Sequence, residues 1–237
     1  KEAGILAAAF NLSCTIFDVN DDKYPDIYVT NDYLIPDFLW VNNKKGGFTN
    51  QIEQYFPHIS TFAMGADIAD YNNDGLSDIA VTDMMAEDLE RWKTHEPASN
   101  YDRLMIHKQY DYHYQYKRNT LQLNNGPGKQ FSEIGQLAGM AYTDWSWAIL
   151  FADYDLDGWK DLYITNGYRR DIDDWDFKQY LLPEMAKKAS GMNKIDTMAL
   201  LQSAPEIKIA NYAYKNNGDL SFTKSSDNWG DNQPSFS

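Results

Sequence analysis

The sequence contains one cysteine, Cys14, which excludes an internal disulfide and a cluster of thiolates around a metal ion. Cys14 lies among small and apolar residues, so we predict that it is buried. No apolar run reaches the roughly 18 residues that a transmembrane helix needs. Basic residues are few, since 21 Lys and Arg accompany 35 Asp and Glu, and the formal net charge is −14. This charge argues against a nucleic-acid partner and suits a protein whose carboxylates bind cations.

Recognisable catalytic motifs are also missing. The four histidines show no H-E-x-x-H spacing, and no G-x-S-x-G nucleophile turn is present. Two acid pairs, Asp32 with Asp37 and Asp173 with Asp174, have the residue types of a glycosidase, but solvated loop acids are the interpretation we favour. We therefore assign no catalytic residue and predict that this chain is not an enzyme.

What the sequence does contain is a repeat. Three copies of one acidic loop occur: DVNDDKYPD (18–26), DYNNDGLSD (70–78) and DYDLDGWKD (153–161). Each runs directly into a segment rich in β-branched and aromatic residues, namely DIYVTND, DIAVTD and DLYITNG. This composition, bounded by Asn, Asp or Gly, is typical of a strand. Self-similarity of this kind indicates a repeat architecture.

The similarity extends to both sides of the loop. Strand-like segments NLSCTIF, MGADIA and WAILFA precede the loops, with the small residues Ser13, Gly65 and Ala148 at the equivalent position. We expect these small residues to let a neighbouring backbone approach closely. A later strand ends in paired asparagines and a turn, and another begins at Phe48, Phe131 or Phe222. Four short strands per unit predict an all-β fold made of β-propeller blades.

The three predicted blades span approximately residues 10–58, 59–140 and 141–237. The second and third contain insertions, at 84–118 and 172–210, and helical spacing in the latter predicts helices beside the sheets. Phe48 and Asp70 are 22 residues apart, as are Phe131 and Asp153. The same step from Phe222 passes the last residue, so we expect the rest of a parent chain to complete the propeller.

The spacing of the acidic loop has a chemical explanation. Ca²⁺ takes six to eight oxygen ligands in a flexible geometry, and alternate residues of a tight loop turn their side chains inward. Positions 1, 3, 5 and 9 offer side-chain oxygens, and position 7 offers a backbone carbonyl. We predict up to three structural Ca²⁺ ions. The ligands are Asp18, Asn20, Asp22, Tyr24 and Asp26; Asp70, Asn72, Asp74, Leu76 and Asp78; and Asp153, Asp155, Asp157, Trp159 and Asp161.

Two alternatives bear on this assignment. Asp and Asn favour turns without any metal, but three copies in register make that explanation less economical. An EF-hand needs a glutamate at position 12, where these loops have Val29, Val81 and Ile164. Lys23 stands where the other loops have glycine, and a lysine is strained at positive φ. The third loop has four carboxylates, and the second has Asn72 in place of one of them. We therefore rank the expected affinities as third loop, second loop, first loop.

Four segments resemble FG-GAP (VCBS) repeats of integrin-α-type β-propellers: DYNNDGLSDIAVTD, FADYDLDGWKDLYITNG, NNKKGGFTN and NNGDLSF. DIYVTNDYLIPDFLWVNN and TDWSWAILFADYDLDG also resemble exported bacterial proteins related to cartilage acidic protein, whose ASPIC/UnbV-type domain is absent here. The resemblance implies a propeller, structural calcium and an extracellular, periplasmic or cell-surface location. A fold of this kind hosts many functions, so its ligand stays open.

Two functions of different class fit these features. One is a surface module for adhesion to a glycan or protein, for which the tyrosine-rich segment YDYHYQYKR (110–118) offers aromatic faces. Those rings have an alternative explanation as packing against the propeller. The other function is a noncatalytic architectural part of a larger exported enzyme or outer-membrane-associated assembly.

Overall fold

The computed structural model describes residues 3–95, 101–167, 170–189, 198, 202–229 and 234–235. In this part of the chain the strands are β1 (Phe10–Phe17), β2 (Asp26–Asp32), β3 (Phe38–Asn42), β4 (Phe48–Asn50), β5 (Ile59–Ser60), β6 (Ala66–Ala69), β7 (Asp78–Val81), β8 (Met84–Met85), β9 (Gln115–Tyr116), β10 (Thr120–Leu123), β11 (Ser132–Glu133), β12 (Asp144–Ala152), β13 (Asp161–Asn166), β14 (Tyr212–Asn216) and β15 (Phe222–Lys224). The helices are α1 (Ile52–Tyr55), α2 (Leu89–Thr94), α3 (Tyr101–Gln109) and α4 (Trp175–Ala189).

The first sheet is a four-stranded antiparallel meander in the order β1-β2-β3-β4. The acidic loop 18–26 joins β1 to β2, and Phe17 pairs with Asp26 where the two strands meet it. Tyr28 is buried and its neighbour Val29 is half-buried, as the period of two in a strand requires. The turn with the paired asparagines connects β3 to β4, and Gly46 there has a φ of +85°.

The second and third sheets repeat this meander as β6-β7-β10-β11 and β12-β13-β14-β15. An acidic loop again connects the first two strands of each sheet, because the loops occupy 70–78 and 153–161. Strand β6 contacts both β1 and β12, so the three sheets lie side by side through their first strands. The prediction of an all-β, propeller-like fold is confirmed.

A threonine at the end of the second strand links each of the first two sheets to the next one. Thr30 Oγ1 donates a hydrogen bond to Met64 O, 2.8 Å away, in the segment that enters β6. Thr82 Oγ1 lies 3.4 Å from Trp147 O in β12 and donates to it. The threonines of DIYVT and DIAVT thus connect successive repeats as well as ending their strands.

The small residues opposite these threonines explain how closely the sheets approach. The backbone N–H groups of Ser13, Gly65 and Ala148 donate to the side-chain oxygens of the threonines in their own sheets, at 2.9, 3.0 and 3.2 Å. A Cβ at Gly65 would lie 2.5 Å from Trp147 O, well inside contact distance. The expectation that a small residue permits close backbone approach is confirmed at this position.

Two hydrophobic cores fill the spaces between the sheets. Alternate residues of β7 face different cores, since Ile79 and Val81 belong to the first and Ala80 to the second. Such a strand is buried on both faces, which explains the uninterrupted apolar run IAV. The first core also contains Tyr28, Leu39, Val41, Phe56, Ile59 and Phe131. The second also contains Tyr71, Leu121, Met140, Ile149, Leu162, Ile164, Tyr214 and Phe222.

The insertions contain helices, as expected, and also strands that the sequence analysis missed. Helices α2 and α3 lie within 84–118, and α4 lies within 172–210. Strand β8 pairs with β12 as a fifth strand of the third sheet, and β9 pairs in parallel with β5. Each of these extra strands has only two residues, too few to show a period in the sequence. Residues 190–197 and 199–201 of the second insertion lie outside the described residues.

The prediction for Cys14 was wrong. Its side chain is exposed, because it lies in β1, where most residues are exposed or half-exposed. The apolar neighbours that suggested a core position, including Leu12 and Ile16, are exposed too. Among the helices that the structure describes, none has the length and apolar character needed to cross a membrane.

Candidate metal centre

The three acidic loops follow the same backbone path. Their positions 4 and 6 both have positive φ, a conformation that most residues avoid. At position 4 the angles are +56° for Asp21, +58° for Asn73 and +63° for Leu156. At position 6 they are +72° for Lys23, +87° for Gly75 and +94° for Gly158. Lys23 therefore adopts the conformation of its glycine counterparts, and the first loop keeps the shared path at a steric cost.

The aspartate at position 1 fixes the turn in each loop. Asp70 Oδ1 accepts a hydrogen bond from Asp74 N, and its Oδ2 accepts one from Gly75 N, both at 2.9 Å. Asp153 makes the same two bonds to the amides of Asp157 and Gly158, at 3.0 and 2.9 Å. Asp18 does so with the amides at positions 5 and 6 of the first loop, at 3.0 and 2.7 Å. The carboxylate at position 1 thus lies inside a curl of backbone in all three repeats.

Positions 3 and 5 turn inward by the same local mechanism. The side-chain oxygen at position 3 accepts from the amide of position 5, at 3.1 to 3.3 Å in the three loops. The aspartate at position 5 accepts from the amide of position 7, at 2.8 to 3.0 Å. Each side chain keeps a second polar atom for another partner, and in the aspartates this atom is the other carboxylate oxygen.

The aspartate at position 9 joins the loop to the third strand. Asp26, Asp78 and Asp161 are fully buried. One oxygen of each accepts from the amide of position 2, at 2.9 to 3.3 Å. The other accepts from the backbone N–H of the first residue of the asparagine pair, at 2.7 to 2.9 Å. These asparagines are Asn42, Asn124 and Asn216.

The role of the paired asparagines was missed by the sequence analysis, which treated them as turn residues. The side-chain amide of the first asparagine in each pair donates to the carbonyl of position 8 in its own loop. The distances are 3.2 Å for Asn42, 3.1 Å for Asn124 and 2.9 Å for Asn216. Their recurrence one strand after every acidic loop was the available signal.

Burial raises the pKa of the carboxyls at position 9. The pKa of Asp78 rises to about 7, because burial penalises its anion and the nearby Asp74 and Asp70 repel it. These effects outweigh the backbone hydrogen bonds from Asn124 and Tyr71, which lower the pKa. The pKa values of Asp26 and Asp161 are also raised, chiefly by burial. A cation in the loop would reverse this penalty, since an opposite charge nearby stabilises the anion.

The third loop brings three carboxylates to one point. Oxygen atoms of Asp153, Asp155 and Asp161 lie within 4.8 Å of one another. Asp157 Oδ2 instead lies 2.8 Å from Lys215 Nζ, and Asp155 Oδ2 contacts the same ammonium group. Three acidic side chains of the predicted site therefore converge, and Lys215 links one of them, Asp155, to the fourth, Asp157.

The other two loops have amides at position 3 and different neighbours. In the first, Asp22 Oδ2 pairs with Lys44 Nζ at 3.1 Å. In the second, Asn72 Nδ2 donates to Asp74 Oδ2 at 2.9 Å. Asn73 Nδ2 donates to Gly158 O at 3.1 Å, which ties the second loop to the third.

The donor set fits Ca²⁺. All predicted side-chain ligands offer hard oxygen atoms, and neither sulfur nor imidazole is among them. An ammonium group already contacts two of the carboxylates in the third loop. The site therefore attracts positive charge in this structure. The structure describes the positions of Tyr24, Leu76 and Trp159, and the use of their carbonyls as ligands remains a prediction.

A family model for the FG-GAP-like repeat matches residues 18–81, from the first residue of the first loop to the last residue of β7. The chain contains an FG-GAP-like repeat. Comparison with curated proteins gave no match. The finer resemblance to integrin-α-type propellers and to proteins related to cartilage acidic protein stays a prediction.

The FG-GAP-like match includes the first and second loops, and the third loop lies outside it. The third loop nevertheless makes the same backbone hydrogen bonds from its positions 1, 3, 5 and 9. Its sheet also has the same strand order. The structure therefore extends the FG-GAP-like pattern to the third repeat on geometric grounds.

The acid pairs considered for catalysis have structural partners beside the FG-GAP-like loops. Asp37 is buried and accepts from Tyr28 OH and Asn31 N, both at 2.7 Å. Asp173 pairs with Lys178 at 2.6 Å, and Asp174 accepts from Phe177 N at the start of α4. These contacts give Asp37, Asp173 and Asp174 structural partners, and the absence of enzymatic activity stays a prediction.

The tyrosine-rich segment lies at the surface in part. Tyr110, Tyr114 and Tyr116 are 61%, 60% and 47% exposed. Tyr110 stacks on Tyr112 with ring centroids 5.9 Å apart, and Tyr116 contacts His58 edge to face. Packing therefore explains only part of this aromatic surface, and three rings remain accessible to a ligand.

Proposed function

We propose that this chain is a calcium-stabilised, propeller-like module that binds a glycan or protein partner outside the cytoplasm. The observation that carries the calcium part is the shared geometry of the three acidic loops. In each, the side chains at positions 1, 3, 5 and 9 are oriented by the same backbone amides. The third loop gathers three carboxylates within 4.8 Å of one another, which a turn alone does not require.

Calcium is preferred to magnesium for two reasons. Ca²⁺ accepts many protein oxygens in an irregular arrangement, whereas Mg²⁺ requires a near-octahedral site and retains several waters. The loops offer up to five protein ligands each, counted from the predicted positions. The ion links the start of the loop to the aspartate at position 9, and that aspartate is bonded to the third strand. Calcium thereby connects three strands of a sheet.

The partner class rests on the exposed aromatic surface. Exposed tyrosine rings stack on sugars and pack against protein partners, while the hydroxyl forms hydrogen bonds. A location outside the cytoplasm fits the calcium role, because extracellular modules bind calcium with dissociation constants of about 0.1 to 1 mM.

Calcium occupancy is tested by determining a crystal structure from protein grown in millimolar calcium. We expect one ion in each loop, bonded to oxygens of positions 1, 3, 5, 7 and 9. Isothermal titration should give a stoichiometry of up to three, reduced by one in Asp74→Ala. Loops that contain only water in such crystals contradict the proposal.

The partner is tested on a glycan array and in pull-downs with the whole chain. The proposal expects binding that weakens in Tyr114→Ala with Tyr116→Ala and keeps its strength in Tyr180→Ala, a change to an exposed tyrosine of α4 outside the segment. Failure to bind any glycan, together with stable copurification of a larger exported assembly, favours the architectural function instead.

A further inference from the structure

The third loop contains a cation that the chain itself supplies. Lys215 Nζ contacts Asp155 Oδ2 and lies 2.8 Å from Asp157 Oδ2. These two residues occupy positions 3 and 5, so the ammonium interacts with half of the side chains that we assign to calcium in this loop. The side chain of Lys215 is 40% exposed, so it has a route to solvent.

The location of Lys215 follows from the strand that carries it. The next residue, Asn216, donates its backbone N–H to Asp161 Oδ1 at 2.9 Å and is fixed beside the loop. Lys215 therefore reaches the loop from β14 without a change in the backbone. Its hydrogen bonds to Asp155 and Asp157 raise the pKa of the ammonium group, which keeps it charged at neutral pH.

The second loop has no such cation among the described residues. The residue equivalent to Lys215 is Leu123 there, and Val41 in the first repeat. In the second loop, the contact to Asp74 Oδ2 comes from the uncharged amide of Asn72. The first loop resembles the third in this respect, since Lys44 Nζ pairs with Asp22 Oδ2.

We propose that Lys215 is an internal competitor for calcium at the third loop, so that the second loop fills at a lower calcium concentration. This inference rests on the proposed calcium function and specifies the order in which the loops fill. It reverses the ranking of the second and third loops that carboxylate number alone suggests. Calcium entering the third loop must displace the ammonium from two carboxylates, and calcium entering the second displaces no charged group.

The size of the effect follows from the exposure of the pair. Exposed ion pairs are individually weak, and removal of a positive charge near the site adds to the attraction for calcium. We therefore expect Lys215→Gln to lower the calcium midpoint of the third loop by roughly threefold to tenfold.

The test is a calcium titration followed by NMR on the whole chain, because backbone amides report on each loop separately. Gly75 N donates to Asp70 Oδ2 and Gly158 N donates to Asp153 Oδ2, both at 2.9 Å. In the wild type, the Gly75 resonance should reach its midpoint at lower calcium than that of Gly158. Lys215→Gln should bring the Gly158 midpoint down and leave that of Gly75 unchanged.

Two further variants serve as controls. Lys224→Gln removes the same charge from the neighbouring strand, where Lys224 pairs with Glu87 at 2.9 Å, and should leave both midpoints unchanged. Lys215→Arg keeps the positive charge and should leave the Gly158 midpoint at the higher calcium concentration of the wild type. An unchanged Gly158 midpoint in Lys215→Gln overturns the competition while calcium binding stands. If neither glycine responds to millimolar calcium, the competition and the proposed calcium function both fail.

Discussion

Leu156 is poorly suited to its backbone conformation in the third acidic loop. It occupies position 4 of the third loop with a φ of +63°, and its side chain is 87% exposed. The other loops have Asp21 and Asn73 at this position, residue types that tolerate the left-handed region. Leucine makes no compensating buried contact there, so its strain is uncompensated.

We expect Leu156→Asn to stabilise the protein by about 0.5–1 kcal/mol, because asparagine adopts positive φ at lower cost. The measurement is urea unfolding at fixed calcium concentration. Leu156→Ala is the control, since alanine keeps the Cβ that causes the strain and should bring no gain. Equal stability of the asparagine and alanine variants argues against backbone strain as the cause.

Asp37 provides a pH dependence that is separate from the metal loops. Burial raises its pKa to about 7, although the hydrogen bonds from Tyr28 and Asn31 lower it. The folded protein therefore holds a proton that the unfolded chain releases between roughly pH 4 and 7. The stability that this proton provides is present below the unfolded pKa and is lost as the pH rises through the folded pKa.

Asp37→Asn removes this titration and retains a carbonyl oxygen as an acceptor for Asn31 N. The free energy of unfolding of the variant relative to the wild type should therefore increase from pH 5 to pH 7, by at most about 1.4 kcal/mol per unit. Denaturant titrations at the two pH values provide the comparison. A constant difference between the two proteins shows that Asp37 titrates normally.

At the scale of elements, the first asparagine of each pair connects a loop to a strand. Asn216 is buried and donates to Lys160 O in its own loop and to Tyr71 O in the second loop, at 2.9 and 2.8 Å. Asn42 donates to Pro25 O in its own loop at 3.2 Å. The third repeat thus uses its asparagine to hold two sheets together.

Asn216→Ala should destabilise the protein by about 2–3 kcal/mol, since it leaves two carbonyl acceptors and the Gly218 amide without their partner. Asn42→Ala, the matched change in the first repeat, should cost about 1 kcal/mol because its bonds are closer to solvent. Thermal and urea unfolding of both variants make the comparison. Equal losses indicate that the bond to Tyr71 contributes nothing.

The elements that repeat were predictable from sequence, and those that occur once were not. The loops, the strands around them and the paired asparagines each occur three times, so self-comparison found them. Strand β8 occurs once and depends on pairing with β12, a tertiary contact without a sequence pattern. Lys215 was missed for the same reason, since its contact with Asp155 spans 60 residues of chain. Cys14 was misassigned because the apolar residues around it in the sequence do not show whether other parts of the chain pack against its strand.

At the scale of the whole molecule, a net charge of −14 opposes compaction by self-repulsion. Much of this charge lies in the three loops, which carry eleven of the 35 acidic residues of the sequence, Asp21 included. The two hydrophobic cores hold the sheets together from the inside, and the loops lie where successive strands meet. Bound calcium would offset part of the negative charge of the loops and add cross-links at those points, which makes stability depend on calcium.

The most direct test of this account is the melting temperature of the whole chain in calcium and in a chelator. An ion that binds only the folded state contributes about 2.7 kcal/mol at a hundredfold excess over its dissociation constant. For a chain of this length that corresponds to a rise of about 5–10 °C. We predict such a rise in millimolar calcium and a smaller one in the same concentration of magnesium. Coincident melting curves in calcium and in chelator contradict the account.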